Sequence, residues 1–189
     1  MSVSGCESSS AGPNLTLIGY FLKRTTLPSG WNFPQSVAEI CSVSDCINPA
    51  PDDWIERWLH NELGFFDSRD DARSMNVDPS KAWRLFAFRL LPVRFVQGRR
   101  EPLDIPALMV EPLSNDFVSL GFDVVSKSIS AFFECSPLSC NGLASEVPVN
   151  RYCLLDTLTE AETLADCCSR EGPEPGPYYV LEVLREEGQ

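Results

Sequence analysis

Four runs of apolar, β-branched and aromatic residues, each as long as a typical β-strand, constrain the fold of this chain most strongly. Segments rich in proline and glycine separate them, and strands rarely continue through such segments. Pro92 predicts a bulge or an edge position after the second run, and Gly121 predicts a bulge inside the third. The predicted strands span residues 15–22, 83–91, 117–126 and 178–184.

Helix signals lie between these runs. A proline, two aspartates and apolar residues at helical spacing predict a first helix over residues 51–64. A second, shorter helix is predicted over residues 68–75, with Asp67 as its N-cap. A capping box that begins at Thr157 opens a third helix, which is expected to end near Gly172.

The order strand, helices, strands, helix, strand predicts a single-domain α+β fold. We expect a largely antiparallel or mixed sheet of about four to six strands, with two to three helices packed on one face. Residues 1–13 are small and polar and predict a flexible N-terminal tail, so the globular domain is expected over residues 14–189. No repeat of whole elements is evident in the sequence.

The excess of acidic residues restricts the classes of partner. With 15 Lys and Arg against 27 Asp and Glu, the formal net charge is −12, which disfavours direct binding to nucleic acids and to anionic membrane surfaces. No apolar run approaches the roughly 20 residues of a membrane-spanning helix. The first residues lack the basic and apolar regions of a secretory signal, so we expect a cytoplasmic protein with reduced thiols. Another protein is the expected partner.

Eight cysteines are present, and four of them form two pairs with equal spacing. Cys41 and Cys46 form the first Cys-x4-Cys motif, Cys135 and Cys140 form the second, and both motifs fall in predicted loops. Four thiolates could form a closed structural zinc site, and zinc is the only cofactor that the sequence suggests. One alternative is that these cysteines are independent buried thiols, since equal spacing can also arise by chance. A disulfide within each pair is a third possibility, in an oxidising compartment only.

His60 is the only histidine, which excludes sites that need two or three imidazole groups. A cysteine-nucleophile enzyme would therefore use Cys140 or Cys135 as the nucleophile and His60 as the base, oriented by Glu56. The alternative is a solvated histidine on the polar face of the first predicted helix.

A long predicted loop between two apolar segments concentrates polar residues, as binding loops often do. Arg151 could bind an anion or a carboxylate through two hydrogen bonds. Alternatively, Asn141 and Gly142 only form a turn, while Asn150 and Arg151 bond to neighbouring backbone. The candidate binding residues are Glu134, Ser136, Ser139, Asn141, Asn150 and Arg151.

These observations favour a small acidic protein-interaction module: an adaptor, an inhibitor or immunity-type protein, or a subunit of a larger complex. The chain has no glycine-rich phosphate-binding loop and no nucleophile elbow, while Trp31 lies in a loop where a partner could reach it. The alternatives are the cysteine-nucleophile enzyme and a domain stabilised by the four-cysteine zinc site. Whether the protein is an enzyme stays open, with the balance against it.

Overall fold

The computed structural model describes residues 14–44, 46–47, 51, 59–75, 77–78, 80–127, 133 and 135–188. The helices are α1 (Arg69–Arg73), α2 (Pro137–Cys140) and α3 (Leu158–Glu171), with a 3-10 turn at Leu143–Ser145. The strands are β1 (Thr16–Arg24), β2 (Trp83–Val96), β3 (Arg99–Pro102), β4 (Phe117–Ser126) and β5 (Tyr178–Glu186).

All five strands belong to one antiparallel sheet with the order β1-β2-β5-β4, and β3 pairs with the far end of β2. The predicted α+β fold is therefore confirmed. Helix α3 packs against β5, β4 and β2, and α1 packs against β1 and β2. Strand β3 was not predicted, because its four residues are three charged residues and a proline, largely exposed, and give no apolar signal. None of the described helices has the length and apolar character needed to cross a membrane.

The two predicted bulges are confirmed by the strand register. The pairing of β2 with β5 shifts between Leu90 and Arg94, around Pro92, which cannot donate a backbone hydrogen bond. The pairing of β4 with β5 shifts between Ser119 and Gly121.

The helix predictions were correct only in part. Residues 52–58 of the first predicted helix lie outside the described residues, and residues 59–64 form a bridge and a turn with no helix. Helix α1 has five residues, and its N-cap is Ser68, whose Oγ accepts from the backbone N–H of Asp71, so the prediction of Asp67 was wrong. The predicted capping box of α3 is confirmed, with Thr157 and Glu160 bonding reciprocally.

The segment before α1 is a loop organised by one asparagine side chain. The Nδ2 of Asn61 donates to the backbone oxygen of Ile18 (3.0 Å) and to the carboxylate of Asp67 (2.9 Å). Its Oδ1 accepts from the backbone N–H groups of Leu63 and Phe65. The amide therefore fixes the loop internally and attaches it to β1.

The segment before α3 repeats this arrangement atom for atom. The Nδ2 of Asn150 donates to the backbone oxygen of Leu120 (2.8 Å) and to the carboxylate of Asp156 (3.1 Å). Its Oδ1 accepts from the backbone N–H groups of Tyr152 and Leu154. This second loop is attached to β4 in the same way that the first is attached to β1.

The chain thus consists of two related halves, each running strand, asparagine loop, helix, strand. Residues 61–68 read Asn-Glu-Leu-Gly-Phe-Phe-Asp-Ser, and residues 150–157 read Asn-Arg-Tyr-Cys-Leu-Leu-Asp-Thr. The last strands of the two halves, β2 and β5, are neighbours at the centre of the sheet. This similarity was not predicted, because the two loops share a pattern of side chains and few identical residues.

Each asparagine loop approaches its edge strand at a glycine with positive φ. A Cβ on Gly19 (φ 137°) would lie 2.6 Å from the backbone oxygen of Phe66, and one on Gly121 (φ 132°) would lie 2.5 Å from that of Leu155. Both distances are shorter than a van der Waals contact, and L-residues rarely adopt this conformation. Glycine is therefore required at both positions.

Both faces of the sheet are buried. Successive side chains of a strand point to opposite faces, so Tyr178 joins one core cluster and Tyr179 the other. Helix α3 covers the Tyr178 face with the small residues Ala161 and Ala165, which let the helix lie close to the strands.

Replacing Gly121 with alanine should destabilise the fold far more than the same change at Gly142. Gly142 also has positive φ (78°), but a Cβ there would meet nothing within 4 Å, so Gly142→Ala should cost only about 1 kcal/mol of backbone strain. Gly121→Ala adds a clash with the loop and should cost at least about 3 kcal/mol. Urea unfolding of both variants measures the difference, and equal losses would contradict the proposed close approach.

Candidate functional site

Three sulfur atoms come together where the ends of several elements meet. The Sγ atoms of Cys46, Cys135 and Cys140 all lie within 4.8 Å of one another, and the Cys46–Cys135 distance is 4.0 Å. A disulfide would need about 2.05 Å, so no bond joins this pair. Ser126 at the end of β4 holds Cys135 by a backbone hydrogen bond (2.8 Å), and Cys140 closes the short helix α2.

The fourth cysteine of the predicted quartet, Cys41, is not in this group. Its backbone N–H donates to the oxygen of Tyr152, which pairs its segment with the second asparagine loop. Its thiol is buried, and burial, followed by the nearby Glu39, raises its pKa to about 12. Cys41 therefore behaves as a small hydrophobic residue, as do Cys153 and Cys168, which are also buried.

Within the cluster, the negative charge is centred on Cys140. A hydrogen bond from the Cys135 thiol is the main cause that lowers the pKa of Cys140 to about 5, and further hydrogen bonds from Ser44 and Cys46 contribute. The pKa of Cys135 is raised, first by that same hydrogen bond and then by burial. Burial is also the main reason that the pKa of Cys46 is raised. These hydrogen bonds therefore favour the thiolate form of Cys140 and the thiol forms of Cys46 and Cys135.

His60, the predicted base, belongs to the first asparagine loop. It forms a backbone bridge with Phe66, and its Nδ1 is 3.4 Å from the backbone oxygen of Asn61. Glu56, its predicted orienting group, lies outside the described residues. The lowered pKa of Cys140 arises from thiol and hydroxyl donors, so a base role for His60 stays a prediction.

Three residues of the predicted binding loop lie beside the cysteine cluster. Ser139 is buried in α2, and its Oγ is 3.8 Å from the Sγ of Cys140. Asn141 places its Oδ1 3.3 Å from the Sγ of Cys135, and its Nδ2 donates to Glu174 (3.1 Å). Ser136 is buried and donates its hydroxyl hydrogen to Asp123 (2.6 Å).

The other predicted binding residues have different positions. Asn150 heads the second asparagine loop, and the guanidinium of Arg151 stacks over the ring of Tyr152 at 5.4 Å. Glu134 lies outside the described residues.

Asp123, in the middle of β4, is a central residue of the site that the sequence reading did not identify. Its side chain is 0% exposed. One carboxylate oxygen accepts from the hydroxyl of Ser42 (2.7 Å) and the backbone N–H of Val43 (3.1 Å), and the other accepts from Ser136. Burial raises the pKa of Asp123 to about 6, although the hydrogen bonds from Ser136 and Ser42 oppose this rise.

Lys23, near the end of β1, was also missed. It is 2% exposed, and its Nζ donates to the backbone oxygens of Val43 (2.7 Å) and Ser44 (2.6 Å). The hydroxyl of Ser44 is in turn 3.1 Å from the Sγ of Cys140. Segment 42–44 is thus held between a buried cation and the buried carboxylate of Asp123. The sequence signal was a charge within an apolar strand run for Asp123 and a charge at the end of one for Lys23, because charged side chains are rarely buried unless they are paired or hydrogen-bonded.

No known protein family, curated protein or solved structure matches this chain. Its function must therefore be argued from the site itself.

The raised pKa of Asp123 predicts a defined pH dependence of stability. An ordinary aspartate has a pKa of 3.8, so the folded protein holds this proton more tightly than the unfolded chain does. Relative to the non-titrating variant Asp123→Asn, the wild type should therefore lose stability as pH rises from about 4 to about 6 and then remain at that level. The loss is at most about 3 kcal/mol.

Urea unfolding of both proteins in chelator-containing buffer, on both sides of this window, tests the prediction. The difference between the two proteins is the measured quantity, because other carboxylates titrate equally in each. A difference that is independent of pH would contradict the raised pKa.

Proposed function

We propose that the protein binds one Zn²⁺ ion through Cys46, Cys135 and Cys140. The observation that supports this is the mutual approach of the three sulfurs to within 4.8 Å. Zinc–sulfur bonds of about 2.3 Å in a tetrahedron place sulfurs about 3.8 Å apart, so only a small contraction is needed.

The donor atoms favour zinc over other common ions. Thiolates are soft ligands, whereas Ca²⁺ and Mg²⁺ require oxygen ligands. Three thiolates leave one tetrahedral position for a water molecule or a further ligand. The described residues nearest to the sulfurs that carry side-chain oxygens are Ser44 and Asn141.

Zinc would join the two halves of the chain. Cys46 belongs to the first half, and Cys135 and Cys140 belong to the second. Because Cys140 already carries the negative charge, the protons released on binding would come mainly from Cys46 and Cys135, whose pKa values are raised. Zinc affinity should therefore fall as pH is lowered, and the bound ion should stabilise the fold by linkage.

A role in binding another protein, which the sequence favours, stays a prediction. The supporting side chain is Trp31, which is 47% exposed and stacks on Phe33 with 6.3 Å between the ring centroids. An exposed, rigid aromatic pair is typical of a binding anchor. A zinc site that fixes nearby loops is compatible with such a role.

Metal analysis of the full-length protein, purified from zinc-replete cells, should give one zinc per chain. Cys140→Ala should reduce the zinc content to near zero, because the principal thiolate ligand is lost. The matched control is Cys167→Ala, at an exposed cysteine outside the cluster, which should keep its zinc.

Cys41→Ala distinguishes the three-cysteine site from the four-cysteine site that the sequence suggested. It should retain zinc if Cys41 is only a buried thiol and lose it if Cys41 is a ligand. Replacement of zinc by Co²⁺ gives an independent spectroscopic measure of tetrahedral thiolate coordination. A wild-type protein with neither zinc nor a cobalt–thiolate charge-transfer band would disprove the proposed function.

A further inference from the structure

The two Cys-x4-Cys motifs share a second residue: a serine follows the first cysteine in each, as Cys41-Ser42 and Cys135-Ser136. Both serine hydroxyls donate to the same carboxylate, Ser42 to Oδ2 and Ser136 to Oδ1 of Asp123. The two Cys-Ser segments, one from each half, are thus joined at one buried side chain.

The serine in the second motif bonds to Asp123 and does not cap its helix. Ser136 is the N-cap residue of α2, where a serine side chain usually accepts from the first turn of the helix. It makes no such capping bond, and its hydroxyl points to Asp123. Because Ser136 follows Cys135 and its backbone oxygen accepts from the N–H of Cys140 (2.8 Å), holding Ser136 holds both cysteines.

The serine in the first motif relays the contact toward Cys46. The Ser42 hydroxyl donates to Asp123 and accepts from the backbone N–H of Ser44 (3.1 Å). The Ser44 hydroxyl then accepts from the backbone N–H of Cys46 (3.3 Å). A continuous chain of hydrogen bonds therefore connects the carboxylate to the cysteine of the first half.

The carboxylate has no counterpart in the other half. When Gly19 is matched with Gly121, Phe21 takes the position of Asp123. Phe21 is buried against the rings of Phe65 and Phe66 and cannot accept hydrogen bonds. Only the second half therefore provides, at this position, a carboxylate that binds both serine segments. This is consistent with a single cluster that contains cysteines from both halves.

We propose that Asp123 is the positioning residue of the thiol cluster. It draws the Cys-Ser segments of both halves to one point, so that Cys46 meets Cys135 and Cys140. The expected effect of Asp123 on metal affinity rests on the proposed zinc function. The expected effect of Asp123 on the distances between the sulfurs is independent of that function.

The first experiment measures proximity of the thiols without metal. Dibromobimane becomes fluorescent when it bridges two neighbouring thiols, and the bridged peptides are identified by mass spectrometry. In chelator-treated wild-type protein, the reagent should join Cys46 to Cys135 or Cys140. Asp123→Asn should lower the rate of this bridging about tenfold or more, because the carboxylate that holds both segments is lost.

The second experiment measures Co²⁺ affinity from the thiolate-to-cobalt charge-transfer band. Residues that orient metal ligands typically contribute about 10- to 100-fold to metal affinity. Asp123→Asn should therefore bind Co²⁺ more weakly by that factor. The matched control is Glu182→Gln, which removes another largely buried carboxylate, one that pairs with Arg89 on β2 (3.2 Å). The control should match the wild type in both experiments.

Variants of the serines keep the proposal testable if Asp123→Asn does not fold. Ser42→Ala and Ser136→Ala leave the carboxylate in place and should each reduce bridging and Co²⁺ affinity. In the double serine variant, Asp123→Asn should add little, because the effect of the carboxylate passes through these hydroxyls. Circular dichroism checks the fold of every variant.

The outcomes separate the two proposals. If Asp123→Asn is bridged more slowly than the wild type but the wild type binds no metal, the positioning role is supported and the zinc function is rejected. Bridging and Co²⁺ binding by Asp123→Asn at wild-type levels, or equal losses in Glu182→Gln, would overturn the positioning role.

Discussion

The backbone oxygens of Phe66 and Leu155 lie so close to Gly19 and Gly121 that no side chain fits at either strand position. This contact attaches each asparagine loop to an edge strand, and the helix that follows begins within three residues of it. The position of the helices over the sheet, and with it the burial of both faces, depends on these two close approaches. An edge strand protected in this way is also shielded from pairing with other chains.

The two halves differ at the strand position that contacts the serine segments. Their asparagine loops keep the same hydrogen bonds, whereas the strand position after each glycine differs: Phe21 in one half and Asp123 in the other. An aromatic side chain there extends the core, but a carboxylate can bind several donors at once. The equal spacing of the two cysteine pairs did not identify a four-cysteine site, because only Cys46, Cys135 and Cys140 lie together.

Much of the fold could be predicted from local signals. The bounds of β4 and the capping box of α3 were predicted closely, because alternating apolar residues and a reciprocal cap act within a few residues. Strand β3 and the turn at residues 59–64 could not be predicted in this way. The first has no apolar signal, and the second takes its shape from contacts of Asn61 with β1.

The candidate site was predicted less completely. Cys46, Cys135 and Cys140 were recognised from their spacing, but Cys41 was grouped with them because sequence spacing does not report the direction of a side chain. In the sequence, Asp123 stands out only as a single charge within an apolar run, and Lys23 only as a charge at the end of one, beside Arg24. Their partners come from other segments of the chain. Asp123 accepts from Ser42, Val43 and Ser136, and Lys23 donates to the backbone oxygens of Val43 and Ser44.

The sequence by itself determined the α+β class, the four long strands, the bulges and the capped helix, because propensity, alternation and capping are local properties of the chain. Only the tertiary structure decided which cysteines meet, which buried charges hold them and how the two halves correspond. Those features depend on hydrogen bonds and packing between residues as far apart as Ser42 and Asp123, and no local pattern encodes such distances.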